Sequence, residues 1–189
     1  MSKPLKYGLI LLILGVICGG LLAFVNSFTA PIIEKREFDE VVAQLKEVDD
    51  DSTSFEDVTD QFDDLPANIN KVFYGKKRNR ENTVIYWTTT YGYSGGAIKV
   101  LTVIDFSNGT IVGTKVTAAE KQTAGIGDQV LTHDFKTVGR EADFYANKDL
   151  EDVTHDQFNL ISGATVSSKA FIEGVIVATT HYEKNFGDN

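Results

Sequence analysis

Cysteine is almost absent from this sequence. Cys18 stands alone, so the chain closes no internal disulfide and ligates no iron–sulfur cluster or zinc through a set of thiolates. Histidine is nearly as scarce, and His133, His155 and His181 are scattered without metal-ligand spacing; each reads as a surface or packing residue. An excess of positive charge is lacking too. The 18 basic residues face 27 acidic ones, a net charge of −9, and that balance speaks against nucleic-acid binding, which needs a basic face, and against docking on anionic headgroups. No internal repeat and no nucleophilic triad is visible, and no residue is assigned as a general acid, a general base or a metal ligand.

Charge of either sign is missing between Lys6 and Glu34, and Tyr7 to Val25 is almost wholly apolar. As a helix the uncharged run would extend roughly 40 Å at about 1.5 Å per residue, against a hydrocarbon core of about 30 Å. The stretch holding Asn26, Ser27 and Thr29 is therefore expected at the interface. A cleaved leader fits less well, because the run is long and Pro31 directly follows the small-residue pair Thr29-Ala30. A lipid anchor at Cys18 is also disfavoured, since Val16-Ile17 stands where small residues are needed. The expectation is an uncleaved, single-pass membrane anchor. Lys3, Lys6 and the amino terminus precede it without any acid, which places the N-terminus on the cytoplasmic side and the rest outside.

Beyond the run, Phe38, Val41, Val42 and Leu45 fall on one face of an expected amphipathic helix, Glu34 to Val48. An acidic segment follows, from Asp49-Asp50-Asp51 to Asp63-Asp64. Asp49, Asp51, Thr53 and Asp60 imitate a calcium loop, but its turn glycine and bidentate glutamate are missing; a solvated loop is expected. From Val72 the pattern becomes β-branched and aromatic, in runs at 72–74, 83–90, 97–104 and 110–116. Ser107-Asn108-Gly109 signals a hairpin between the last two. Short connections imply antiparallel pairing, and helices at both ends make the class α+β.

Near the C-terminus, Asn159-Leu160-Ile161 leads into Ser162-Gly163-Ala164-Thr165-Val166-Ser167-Ser168. After it, Ala170, Phe171, Gly174, Val175 and Ala178 recur at helical spacing. The spacing predicts a helix start with Ser162 or Thr165 as N-cap. Unpaired amides and the helix dipole there favour an anion, Gly163 and Ala164 leave room for a phosphate, and Lys169 is a candidate for a further positive charge.

Ser162-Gly163-Ala164-Thr165 with Val166-Ser167-Ser168 resembles the attachment motif of the FMN-binding domain in the G subunit of Rnf electron-transport complexes. The C subunit of sodium-translocating NADH:quinone reductase carries a similar motif. Gly92-Tyr93-Ser94-Gly95-Gly96 and the strands from Ala97 to Val116 resemble the core of the same domain. Gln122-Thr123-Ala124-Gly125-Ile126-Gly127 is similar to its Glu-Thr-Pro-Gly-Leu-Gly loop, with departures at Gln122 and Ala124. The resemblance implies FMN esterified through its phosphate to Thr165 by a flavin transferase that uses FAD. It further implies Ser162, Gly163, Ala164, Ser167, Ser168 and Lys169 around the phosphate, and Thr123, Gly125, Ile126 and Gly127 near the ring. Where the family usually has aspartate, six residues before the threonine, this chain has Asn159, so restoring the acid is expected to label at least as fully.

The expected organisation is an anchor (1–33), a helix and acidic connecting segment (34–70) and an FMN-binding domain (71–189), the last an antiparallel sheet flanked by helices. The implied function is a membrane-anchored, extracytoplasmic electron carrier working with other membrane subunits of an Rnf-type ion-translocating complex. Two rival expectations are a free-standing extracytoplasmic FMN carrier and a non-redox module that kept the fold and lost the flavin.

Overall fold

A computed structural model of the chain describes residues 3–78 and 80–187, the side chains of 3–6, 9–10, 28 and 30–40 excepted. The chain divides into two compact units, Met1–Ala43 and Gln44–Asn189. The first helix, α1 (Lys3–Val48), begins in the first unit and ends in the second.

In the first unit the expected apolar run is helical throughout, and α1 continues past position 31 without a break. The side chains described without interruption run from Leu11 to Ser27 and are all exposed, Leu11 and Leu22 at 70% and 73%. Among the described residues, no helix is long and apolar enough to cross a membrane. Of the expected amphipathic stripe, Val41 and Leu45 are buried and Val42 is half-buried, one helical turn apart as the spacing requires. The side chain of Phe38 lies outside the described residues, as do those of Lys3 and Lys6.

The second unit is built on five antiparallel strands: β1 (Ser54–Asp57), β2 (Ile69–Lys77), β3 (Arg80–Tyr91), β4 (Ala97–Asp105) and β5 (Ile111–Ala119). Each pairs with the next in sequence, in the order β1-β2-β3-β4-β5. The 105–111 hairpin forms where the Asn-Gly signal lies; Gly109 takes a left-handed φ of 66° and its amide donates to Asp105 O at 2.9 Å. Both faces of the central strands are buried, so β4 reads Val100 to Ile104 with little alternation of polarity. Even positions (Val84, Tyr86, Val100, Ile104) join the main core against α3 (Thr165–Phe186), whereas Phe73, Ile85, Leu101 and Val103 are buried on the other face. On β5, Gly113 makes room for the end of α1: a Cβ there would lie 2.5 Å from Val48 O.

Two threonines and a glycine set the approach of α3 to the sheet. Thr90 Oγ1 donates to Ala170 O at 2.7 Å and Thr88 Oγ1 to Gly174 O at 3.4 Å. A Cβ on Gly174 would stand 2.8 Å from that Thr88 hydroxyl. A short helix α2 (His155–Phe158) precedes α3 and ends at Asn159, which is left-handed with φ 49°.

The acidic connecting segment is more ordered than its composition suggests. Ser54–Asp57 forms the edge strand β1, whose acids pair across to β2: Glu56 with Lys76, and Asp57 with Lys71 at 2.9 Å. Asp49 is buried, accepting from Ser52 N at 3.2 Å, from Ser52 Oγ at 2.7 Å and from Thr83 Oγ1. The expected solvated loop is thus in part a strand and a buried carboxylate whose charge three hydrogen bonds satisfy. No group of residues able to hold a metal ion occurs among those described.

Candidate functional site

Helix α3 begins at Thr165 because Gly163, at φ 81°, turns the chain where a side chain would be strained. The cap differs from expectation. Ala164 occupies the N-cap position and no side chain caps the helix, so neither Ser162 nor Thr165 has that role. The first amide of α3 to close on the chain is Ser168 N, on Ala164 O at 2.9 Å. The amides of Thr165, Val166 and Ser167 precede it, in the turn where helix N–H groups have no intrahelical acceptor.

That helix start forms one wall of a cavity of about 380 Å³. Gly163, Ala164, Thr165 and Ser167 line it from α3; Thr123, Ile126 and Gly127 line it from the glycine loop after β5. Seven residues singled out from the sequence therefore meet at one place. Thr165 is exposed there, whereas Ala164, Ser167 and Gly127 are buried. Four of the singled-out residues do not line the cavity. Ser162 is exposed in the preceding turn, and Ser168 is buried with its Oγ accepting from Ile161 N at 3.0 Å. Lys169 is turned away, its Nζ on Leu150 O at 2.7 Å. Gly125 sits at the loop tip, φ 74°, with open space where a Cβ would be.

The glycine loop is held by its own backbone. Ile126 N and Gly127 N both donate to Thr123 O, at 3.1 and 2.8 Å, so these two amides are already occupied and the loop offers shape rather than free donors. Gln122 ties it to the helix: its Oε1 accepts from Ser167 Oγ at 2.6 Å, and its Nε2 donates to Glu120 O at 2.9 Å. A Cβ on Gly127 would lie 3.2 Å from both Gln122 Oε1 and Ser167 Oγ, which explains a glycine at this position. Sequence reasoning missed two further lining residues, Tyr93 and Val166. Tyr93 follows the Gly92 that opens a glycine-rich turn, the one available signal. Tyr93, Ile126 and Val166 are large apolar side chains left 56%, 45% and 54% exposed around one opening.

Asn159 lies near the start of this assembly. Its Nδ2 donates to Asp134 O at 2.6 Å, and its carbonyl meets His133 Nε2 at 2.6 Å. A carboxylate at 159 has no proton with which to make the first of these bonds. The site therefore uses the amide itself, not merely an acceptor oxygen in place of an acid.

The chemistry these residues offer is that of an anion cradle with an apolar platform. Three unpaired amides lie at the helix start beside the opening, no carboxylate lines it, and one aromatic and two aliphatic side chains are left exposed around it. An aromatic ring carrying a phosphate fits that donor set, and the Thr165 side chain is exposed at its lip.

Known proteins define the class further. Residues 92–180 match the FMN-binding domain family, and residues 1–48 match the RnfG N-terminal region. The chain thus resembles FMN-binding domain proteins over its C-terminal half and RnfG proteins over its N-terminal region. It is similar to the G subunit of the ion-translocating oxidoreductase complex of Cereibacter sphaeroides, 26% identical over 198 residues, covering 97% of this chain and 86% of that protein. It is also similar to the protein of the same name from Shewanella piezotolerans, 28% identical over 202 residues, covering 97% of this chain and 92% of that protein.

Proposed function

We propose that the chain is an electron-carrying flavoprotein subunit of an Rnf-type ion-translocating complex. FMN is esterified to Thr165, and the N-terminal run holds the domain to the membrane with the body outside. The match to the FMN-binding domain and the names of the relatives support FMN and the complex. The observation that carries the attachment point is the exposed Thr165 side chain at the lip of a carboxylate-free cavity, beside unpaired helix amides. Ser167, the other cavity-lining hydroxyl of the motif, is buried and already donates to Gln122.

Bound FMN supplies the one- and two-electron chemistry. This chain's residues supply its position. The amides of Thr165, Val166 and Ser167 would hold phosphate charge at the helix start, Tyr93, Ile126 and Val166 would offer apolar surface to the ring, and Gln122 bridges loop and helix. During maturation Thr165 Oγ would attack the FMN phosphorus of FAD held by a flavin transferase; the new O–P bond would replace the pyrophosphate P–O bond, AMP would leave, and the hydroxyl proton would pass to the transferase or to water. The uncharged run from Tyr7 to Ile33 supports the anchor, and the basic, acid-free N-terminus supports its orientation.

Thr165→Val keeps shape and β-branching, so the fold should survive without the ester oxygen. Co-expressed with a flavin transferase, wild type should give a fluorescent band on a denaturing gel and Thr165→Val none, while Ser162→Ala and Ser168→Ala stay fluorescent. Flavin retained by denatured Thr165→Val would overturn the assignment.

A further inference from the structure

A second cavity, of about 360 Å³, lies at the other end of α3. It opens beside the 105–111 hairpin, roughly 30 Å from Thr165 at about 1.5 Å per helical residue. Phe106, Tyr182 and Phe186 form its aromatic wall, with Phe186 5.2 Å from Phe106 and 5.5 Å from Tyr182 between ring centroids. Glu141, Asp143 and Glu183 line it as well. This end has the opposite character to the flavin cradle: carboxylates instead of free amides, and the negative end of the helix dipole.

Two observations show a site rather than an acidic surface. Tyr182 is only 4% exposed and lines the cavity, yet its hydroxyl has no hydrogen-bond partner among the described residues. Burial raises its phenol pKa above the ordinary value, and Glu183 and Asp105 raise it further, so the hydroxyl stays protonated in a negative field. The neighbouring cations are also turned elsewhere. Arg140 reaches Gln157 O and stacks over Phe144, Lys148 stands over Phe144, and Lys184 pairs with Asp64. Glu141 and Asp143 take part in no ion pair among the described residues.

We propose that this cavity binds an alkylammonium or guanidinium group, the carboxylates of Glu141 and Asp143 and the Tyr182 hydroxyl receiving its N–H donors while Phe106 and Phe186 pack its alkyl stem. Inorganic cations do not match the aromatic wall, and anions are repelled. A basic side chain of a partner polypeptide and a small free amine share this chemistry. The site is independent of flavin attachment.

The test is a titration of full-length, ¹⁵N-labelled protein in detergent micelles, following the amides of Gly109 and Gly187. Pentylammonium should shift both saturably, whereas 1-pentanol at equal concentration should not. The Glu141→Gln/Asp143→Asn double variant should bind at least tenfold more weakly, and Tyr182→Phe several-fold more weakly. Equal shifts with pentanol, or unchanged affinity in a folded double variant, would overturn the proposal. If the double variant does not fold, wild-type affinity decides: a several-fold loss between low and 0.5 M salt supports the site, and salt independence overturns it. Tighter binding of Nα-acetyl-lysine methylamide than of 1,5-diaminopentane would assign the ligand to a polypeptide, and the reverse order to a free amine.

Discussion

Asn159 shows how a single atom can decide a residue's worth. Its side-chain amide donates to Asp134 O at 2.6 Å while its backbone sits in the left-handed region that asparagine tolerates well. Asn159→Asp removes the proton and sets a carboxylate against that carbonyl. The loss of this exposed hydrogen bond costs about 0.5–1.5 kcal/mol. We expect a lower urea midpoint and weaker, not fuller, flavin labelling; labelling equal to wild type with unchanged stability would show that the amide is dispensable. From the sequence alone the substitution looks like loss of a useful charge, because the partner of the amide is a backbone carbonyl that no motif announces. Lys169 is a parallel case. Its place beside the motif suggests a phosphate ligand, but helical geometry turns it to Leu150 O.

Among the elements, α3 fixes the flavin cradle by where it lies on the sheet. It packs closely on the sheet at Gly174, and Gly174→Val would drive a side chain into Thr88 Oγ1 and Val100. Overpacking of this kind costs about 1–3 kcal/mol. Thermal unfolding should occur several degrees lower, and loading of flavin should fall with it. An unchanged Tm would mean that the helix is free to move outward. The strands themselves were legible: apolar and β-branched runs, an Asn-Gly turn and short connections led to four of the five, all antiparallel. Strand β1 was not, because Ser54–Asp57 is a polar edge held by cross-strand lysines instead of by a buried face. The seven cavity residues were legible because two glycine-containing motifs carried them. The second cavity was not, since its residues come from a hairpin, a loop and a helix end far apart in sequence.

At the scale of the whole molecule, pH and topology give two measurements. Burial holds His181 below the ordinary histidine value of 6.5, with Lys184 adding to this and Asp64 opposing it. Nδ1 faces the Tyr86 hydroxyl at 3.1 Å, and Phe62 packs on the ring. The unfolded chain binds the proton more tightly, so the stability from neutral His181 is complete above pH 6.5 and declines as pH falls through that value. Urea midpoints should therefore be lower at pH 5.5 than at 7.5, and the difference should shrink in His181→Gln. Asp57 acts in the same sense at lower pH: burial raises its pKa, but Thr59 and Lys71 together bring it below 3.8. As for topology, an alkaline phosphatase fused to the C-terminus should be active and a cytoplasm-dependent reporter silent; the reverse pattern would sink the proposed orientation.

The sheet is a simple meander in which each strand meets the one made just before it. A growing chain can thus pair all five strands while Thr165 has yet to be synthesised, since the last helix begins only 46 residues after β5 ends at Ala119. The cradle, by contrast, needs Tyr93, the loop at 123–127 and that last helix at once. On the proposed reading, a transferase meets its complete target only after the sheet and α3 have come together, so the yellow colour of the protein would double as a certificate of that folding.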